Sequence, residues 1–225
     1  MNLNMNIPKG GGLLWQRNEK LFVALVYALL IASLYSSVVF FGKTLQPLLY
    51  YPYGVTEKGP YGYEGRKSIN SFDIDLATPA YYEWPTNRLV GNLYRKGQLP
   101  LWNPYQGAGT PLAAQYSSRV FFPYQVLEDV SPSWMWDYFI LGRLFIAGFF
   151  TYLFLRLISL SLLSAFLGGV FYMFSGTMVW FINLEQMVNT AMLVPVLLYC
   201  LERLLQKRRH RDMSFCALIF ALILL

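Results

Sequence analysis

Four runs of about twenty residues with almost no charge, at 21–41, 138–157, 162–182 and 187–205, constrain this chain more than any other feature. An α-helix rises about 1.5 Å per residue, so each run is long enough to cross a hydrocarbon core of about 30 Å. Backbone placed in such a core must satisfy every N–H and C=O internally, which leaves the helix as the natural form for segments of this length. With 56% hydrophobic, 18% aromatic and only 13% charged residues, the chain lies outside the range of ordinary soluble domains. The expected fold class is an all-α polytopic membrane protein.

Charge sets the expected orientation. Lys9, Arg17 and Lys20 precede the first run, and the sequence KRRHR, from Lys207 to Arg211, follows the fourth. Four crossings return a chain to the side it left, and basic flanks favour the cytoplasm. Residues 1–20 are thus expected as a cytoplasmic tail, 21–41 as the first membrane helix and 42–137 as an extracytoplasmic loop. Residues 138–205 supply three membrane helices, and 206–212 a basic cytoplasmic loop. A signal peptide would end in a small-residue cleavage site, and FFGKTLQP offers none. Residues 213–225 read as the start of a fifth membrane helix, which makes the chain the N-terminal portion of a larger protein. The formal charge of +6 is then a matter of topology, and nucleic acid is not an expected partner. SLS and NLEQ link the last three runs so tightly that their helices must be antiparallel neighbours, and Gly168, Gly169, Ser175 and Gly176 allow close backbone approach.

The long loop carries the chemistry. Its basic and acidic residues cancel, and its Tyr, Trp and Phe content suits short helices resting at a membrane interface. Residues 85–96 read as one such helix, with Pro85 in the first turn, Arg95 and Lys96 in the last, and Gly97 just beyond. Asp73 and Asp75 flank a single residue. From spacing alone they are solvated loop carboxylates or helix caps, a general base for a hydroxyl, or a pair that holds a divalent cation (Mg or Mn) against a phosphate. Arg88, Arg95, Lys96 and Arg143 are candidates to neutralise a lipid phosphate. Arg143 lies within an apolar run, where a charge must snorkel or find a partner. Glu185, in the NLEQ turn, is a second candidate acid. His210 has no Cys, Asp or Ser at a useful spacing, so a metal or triad role is not expected, and Cys200 and Cys216 brace no outer loop.

The string Gly97, Leu99, Pro100, Leu101, Trp102, Asn103, Pro104, followed by Gly107, Gly109 and Pro111, resembles the YfhO-type bacterial membrane proteins. Phe174, Ser175 and Gly176, and the stretch from Pro195 to Glu202, add to a resemblance that covers about 21–205. That family's fold is similar to the GT-C glycosyltransferases, which implies a GT-C-like helical bundle whose long first extracytoplasmic loop carries interfacial helices. It also implies a bacterial cytoplasmic membrane location and transfer of a sugar from a polyprenyl-phosphate donor to an envelope polymer, lipid or protein. GT-C enzymes place a catalytic acid in the first outer loop, the place that Asp73 and Asp75 occupy. The rival readings are an envelope-lipid transporter or flippase, which would carry the phosphate without chemistry, and a noncatalytic membrane scaffold. A transporter is expected to hold its ionisable residues near the membrane midplane, and most of them here lie outside it.

Overall fold

The computed structural model describes residues 12–45 and 78–224. Three helical segments, Ser133–Leu157, Leu162–Trp180 and Glu185–Lys207, are long and apolar enough to cross a membrane. The described chain is mostly helical, and the helix of the first of these segments is central, packed against the helices before and after it and against that of the third.

Helix α1 (Gly12–Leu34) is followed by the single turn α2 (Ser36–Val39), so the first expected span, 21–41, is a longer helix with a break at Tyr35. The chain beyond α2 is tied to the start of α5 (Trp136–Leu157), where the Asp137 carboxylate accepts hydrogen bonds from Thr44 Oγ1 at 2.9 Å and Leu45 N at 2.8 Å. At the other end of both helices, Arg156 Nε donates to Glu19 Oε1 at 2.7 Å and Tyr152 Oη donates to the same oxygen at 2.7 Å. Acid in the first turn of α5 and base in the last also suit its dipole.

The segment read as one apolar run, 162–182, consists of α6 (Leu162–Met173) and α7 (Gly176–Trp180), separated where Ser175 takes an extended conformation. Helix α8 (Glu185–Lys207) contains Pro195, which cannot donate to the carbonyl four residues back. That carbonyl, of Ala191, instead accepts from Tyr172 Oη of α6 at 2.9 Å, so the proline leaves no orphan acceptor in the bundle. Arg208, in the left-handed region at φ 49°, ends α8, and α9 (His210–Leu224) turns back along it.

Glycine sets the spacing of α1, α5 and α6. A Cβ at Gly169 would lie 2.0 Å from Tyr27 Oη and 2.7 Å from the Gly148 carbonyl, so neither neighbour leaves room for one. Tyr27 Oη donates to the Phe166 carbonyl at 2.8 Å across this contact. The core built there comprises Val23 and Ile31 of α1, Leu144 and Ala147 of α5, Ala165 and Met173 of α6, and Val188 of α8. The outward face is equally apolar: Leu21, Phe22, Leu25 and Leu29 of α1 and Phe171 of α6 are exposed. Exposed apolar surface of this extent is suited to a bilayer and poorly suited to water.

Between α2 and α5 lies a cap. A π-helical turn (Pro79–Glu83) runs directly into α3 (Trp84–Arg95), and α4 (Pro123–Val130) packs across α3. The crossing is close enough that a Cβ at Gly91 would fall 2.0 Å from the Asp129 carbonyl. Between α3 and α4 the strands β1 (Trp102–Asn103) and β2 (Thr110–Pro111) form an antiparallel hairpin, with Trp102 opposite Pro111. Gly109, at φ 101°, lies under the Trp102 indole, where any side chain would collide with the ring.

Candidate functional site

The cap meets the bundle through a cluster of buried polar side chains on α3, α4, α5 and α8. Arg143 of α5 is fully buried. Its Nε donates to Asn189 Oδ1 at 2.7 Å, its Nη2 to Gln125 Oε1 at 3.0 Å, and its guanidinium lies in direct contact with the Glu128 carboxylate. The Tyr124 ring packs on its face at 5.2 Å. Asn189 Nδ2 returns a bond to Gln125 Oε1 at 2.9 Å. An arginine in an apolar helix is costly unless its donors are satisfied, and here protein groups satisfy them. Arg143 therefore braces the cap against the bundle and has no face open to a lipid phosphate, in contrast to the expectation that it would bind one.

Glu185 belongs to the same network. Its Oε2 accepts from Asn87 Nδ2 of α3 at 2.6 Å and from Gln125 Nε2 of α4 at 2.7 Å, so one carboxylate joins three helices. Gln125 Nε2 also donates to Asp129 Oδ1 at 3.0 Å. The other Asp129 oxygen is buried and has no hydrogen-bond partner among the described residues. Burial, then the nearby Glu185 charge, push the Asp129 carboxyl well above the ordinary carboxylate range, against the Gln125 hydrogen bond. Burial pushes Glu128 upward too, with Arg143 opposing it.

A cavity of about 260 Å³ opens beside this cluster, lined by Arg88 and Arg95 of α3, Asp129 of α4, and Trp134 and Trp136 at the start of the first long span. Arg88 lies over the Trp84 ring at 5.1 Å. Arg95 is committed to the end of α4: its guanidinium donates to the carbonyls of Asp129, Val130 and Ser131 at 3.1–3.3 Å and to Asn92 Oδ1 at 3.0 Å. Lys96 is exposed at the end of α3, and with Arg88 it lines a second cavity of about 330 Å³. A third, of about 290 Å³, lies between α3 and the hairpin, lined by Tyr81, Tyr82, Asn103, Tyr105 and Gln106 among others.

Of the residues singled out in the sequence, Arg88, Arg95 and Lys96 share the surface of α3, while Arg143 and Glu185 lie behind it in the buried network. Asp73 and Asp75 lie outside the described residues. Among the described residues, no group of three or more His, Cys, Asp or Glu side chains is placed to hold a metal ion.

The sequence reading missed Gln125, Glu128, Asp129 and Arg119. Arg119 is buried at φ 40°, donates from Nη2 to Thr190 Oγ1 at 2.8 Å, and stacks on Tyr116 at 4.4 Å. The available signal was LEDV, two adjacent acids in a short apolar segment. Comparison of the chain with protein-family models, with curated proteins and with solved structures gives no match.

Proposed function

We propose that this protein is a membrane glycosyltransferase of GT-C-like fold that takes a sugar from a polyprenyl-phosphate donor. The observation that carries the reading is the cavity at the head of the first long span. There Arg88, Arg95, two tryptophans and Asp129 line one cavity, where a lipid phosphate would emerge from the bilayer. The indoles suit the boundary between headgroup and hydrocarbon. Arg88 has the geometry for a phosphate, and Lys96 adds charge from the adjoining cavity. The aromatic and amide groups between α3 and the hairpin suit the face and hydroxyls of a sugar.

In this mechanism Asp73 or Asp75 removes the proton from the acceptor hydroxyl as its oxygen attacks the anomeric carbon. The bond from that carbon to the phosphate oxygen breaks, and the lipid phosphate leaves with the electron pair. Arg88 and Lys96 offset the negative charge that develops on it. Arg95 holds α4 in place, and Arg143 and Glu185 hold the cap on the bundle. The acceptor is an envelope polymer, lipid or protein on the outer side of the membrane, and the same carboxylates are the candidate ligands of a divalent cation.

The test is photocrosslinking with a polyprenyl phosphate that carries a photoreactive group beside the phosphate. The expected adducts fall on 84–96 and 131–136 and weaken at least about tenfold in Arg88→Gln, since a desolvated phosphate–arginine contact is a strong charge-assisted bond. Adducts elsewhere, or unchanged in that variant, would remove the cavity from the account.

A further inference from the structure

A second basic cavity, of about 520 Å³, lies at the opposite end of the bundle from the cap. Arg156 lies about 20 Å along α5 from Arg143, which places the two sites near the two ends of a membrane-spanning helix. Glu19 and Lys20 of α1, Arg156 of α5, and Arg203 and Lys207 of α8 bring four cationic side chains to its wall against one carboxylate.

These charges divide into scaffold and unspent. Arg156 is committed: its donors go to both Glu19 oxygens, at 2.7 and 3.2 Å, and to the Leu160 carbonyl at 2.7 Å. Arg203 is largely committed: Nη2 pairs with Asp212 at 2.9 Å and Nη1 donates to Tyr199 Oη at 3.5 Å, while Nε is buried without a hydrogen-bond partner among the described residues. Lys20 and Lys207 are exposed and make no ion pair among the described residues. Two ammonium groups with no ion pair among the described residues thus line a cavity beside the Arg203 guanidinium, and the cavity's own carboxylate, Glu19, is taken by Arg156.

The wall of this cavity continues into another. Leu153, Tyr199 and Arg203 also line a groove of about 420 Å³, where Asp212, paired with Arg203, is joined by Cys200 and the apolar side chains of Phe150, Val196, Phe215 and Ile219. A basic chamber at the end of a span that opens onto an apolar groove between α5, α8 and α9 has the two-part chemistry of one kind of ligand. We propose that this site binds an anionic phospholipid, its phosphodiester against Lys20 and Lys207 beside Arg203 and an acyl chain in the groove. Basic clusters at the ends of membrane helices hold such headgroups, and the groove supplies what a free phosphate would not use. The bound lipid tethers α1 to the α8–α9 hairpin.

Native mass spectrometry of the full chain in detergent tests this, with phosphatidylglycerol and phosphatidylcholine of identical acyl chains and glycerol phosphate as the soluble headgroup. Each lysine beside an anionic lipid is worth a factor of about five, so Lys20→Gln with Lys207→Gln should reduce phosphatidylglycerol retention about 10–30-fold and leave phosphatidylcholine unchanged. Both lysines are exposed and make no ion pair among the described residues, so the double variant should keep its fold, which an unshifted unfolding temperature would verify. Ile219→Trp should displace the acyl chain and weaken lipid retention through the groove alone. Equal retention of the two lipids, a preference that survives in the double lysine variant, or competition by glycerol phosphate at equal concentration would overturn the proposal.

Discussion

Arg143 of α5 and Glu128 of α4 touch side chain to side chain, with neither exposed to solvent. Between them they fasten the cap to the bundle. Removing one member of a buried pair strands the other, at a cost of about 3–5 kcal/mol, whereas an apolar replacement of both is far less damaging. Arg143→Leu should therefore unfold well below the parent in detergent, and Arg143→Leu with Glu128→Leu should recover most of the loss. A double variant no more stable than Arg143→Leu would mean that Asn189 and Gln125, rather than Glu128, govern the site.

Asp129 should make stability fall as pH rises. Its folded-state pKa lies above its unfolded value, so between the ordinary carboxylate range and the raised native value the folded state holds the extra proton. Stability then declines with pH across that window, the reverse of the behaviour of a salt-bridged aspartate. Asp129→Asn removes the titration, and its unfolding temperature should vary less from pH 4 upward than the parent's. Parallel curves for the two proteins would place the titrating group elsewhere.

Tyr172 serves a carbonyl that Pro195 leaves unpaired. Tyr172→Phe should cost about 1–3 kcal/mol, the usual penalty for a buried acceptor left without a donor. In a Pro195→Ala background the helix supplies its own N–H to Ala191, and the same substitution should cost much less. Additive losses, measured by thermal unfolding, would mean that the hydroxyl acts independently of the proline.

How far the sequence disclosed all this depends on the range of the interaction. Helix α3 was legible because Pro85, Arg95 and Gly97 are local punctuation, and the long apolar segments were legible because length against bilayer thickness is a one-dimensional property. The break at Ser175 was not, since Phe174, Ser175 and Gly176 sit in an unbroken apolar run. The partners of Arg143 were invisible for another reason: Glu128 lies on α4 and Asn189 on α8, and only packing brings them to α5. Asp129 was passed over because nothing local marks it as buried, and its backbone carbonyl meets Gly91 only where α3 crosses α4.

The basic flanks are the ground for expecting a cytoplasmic N-terminus. Lys20 and Lys207 line one cavity, so both lie at the same end of the bundle, the end away from the cap. With Cys200 and Cys216 replaced, a cysteine at Thr56 should react with an impermeant reagent in intact cells and one at His210 should not. Labelling at position 210 in sealed cells would invert the orientation and put the proposed chemistry on the cytoplasmic side.

The most direct test of the account is transfer itself: the full-length protein in liposomes, a radiolabelled polyprenyl-phosphate sugar, and envelope acceptors. Asp73→Asn and Asp75→Asn are compared with the parent after each is shown to reach the membrane at normal level. A positioned general base contributes about 10²–10⁴ in rate, so one of the two variants should lose at least about a hundredfold in transfer while still binding the donor. Parent-like transfer in both would contradict the assignment of the base to this pair. A parent protein that binds the lipid phosphate yet never transfers sugar would contradict the glycosyltransferase reading and favour lipid transport.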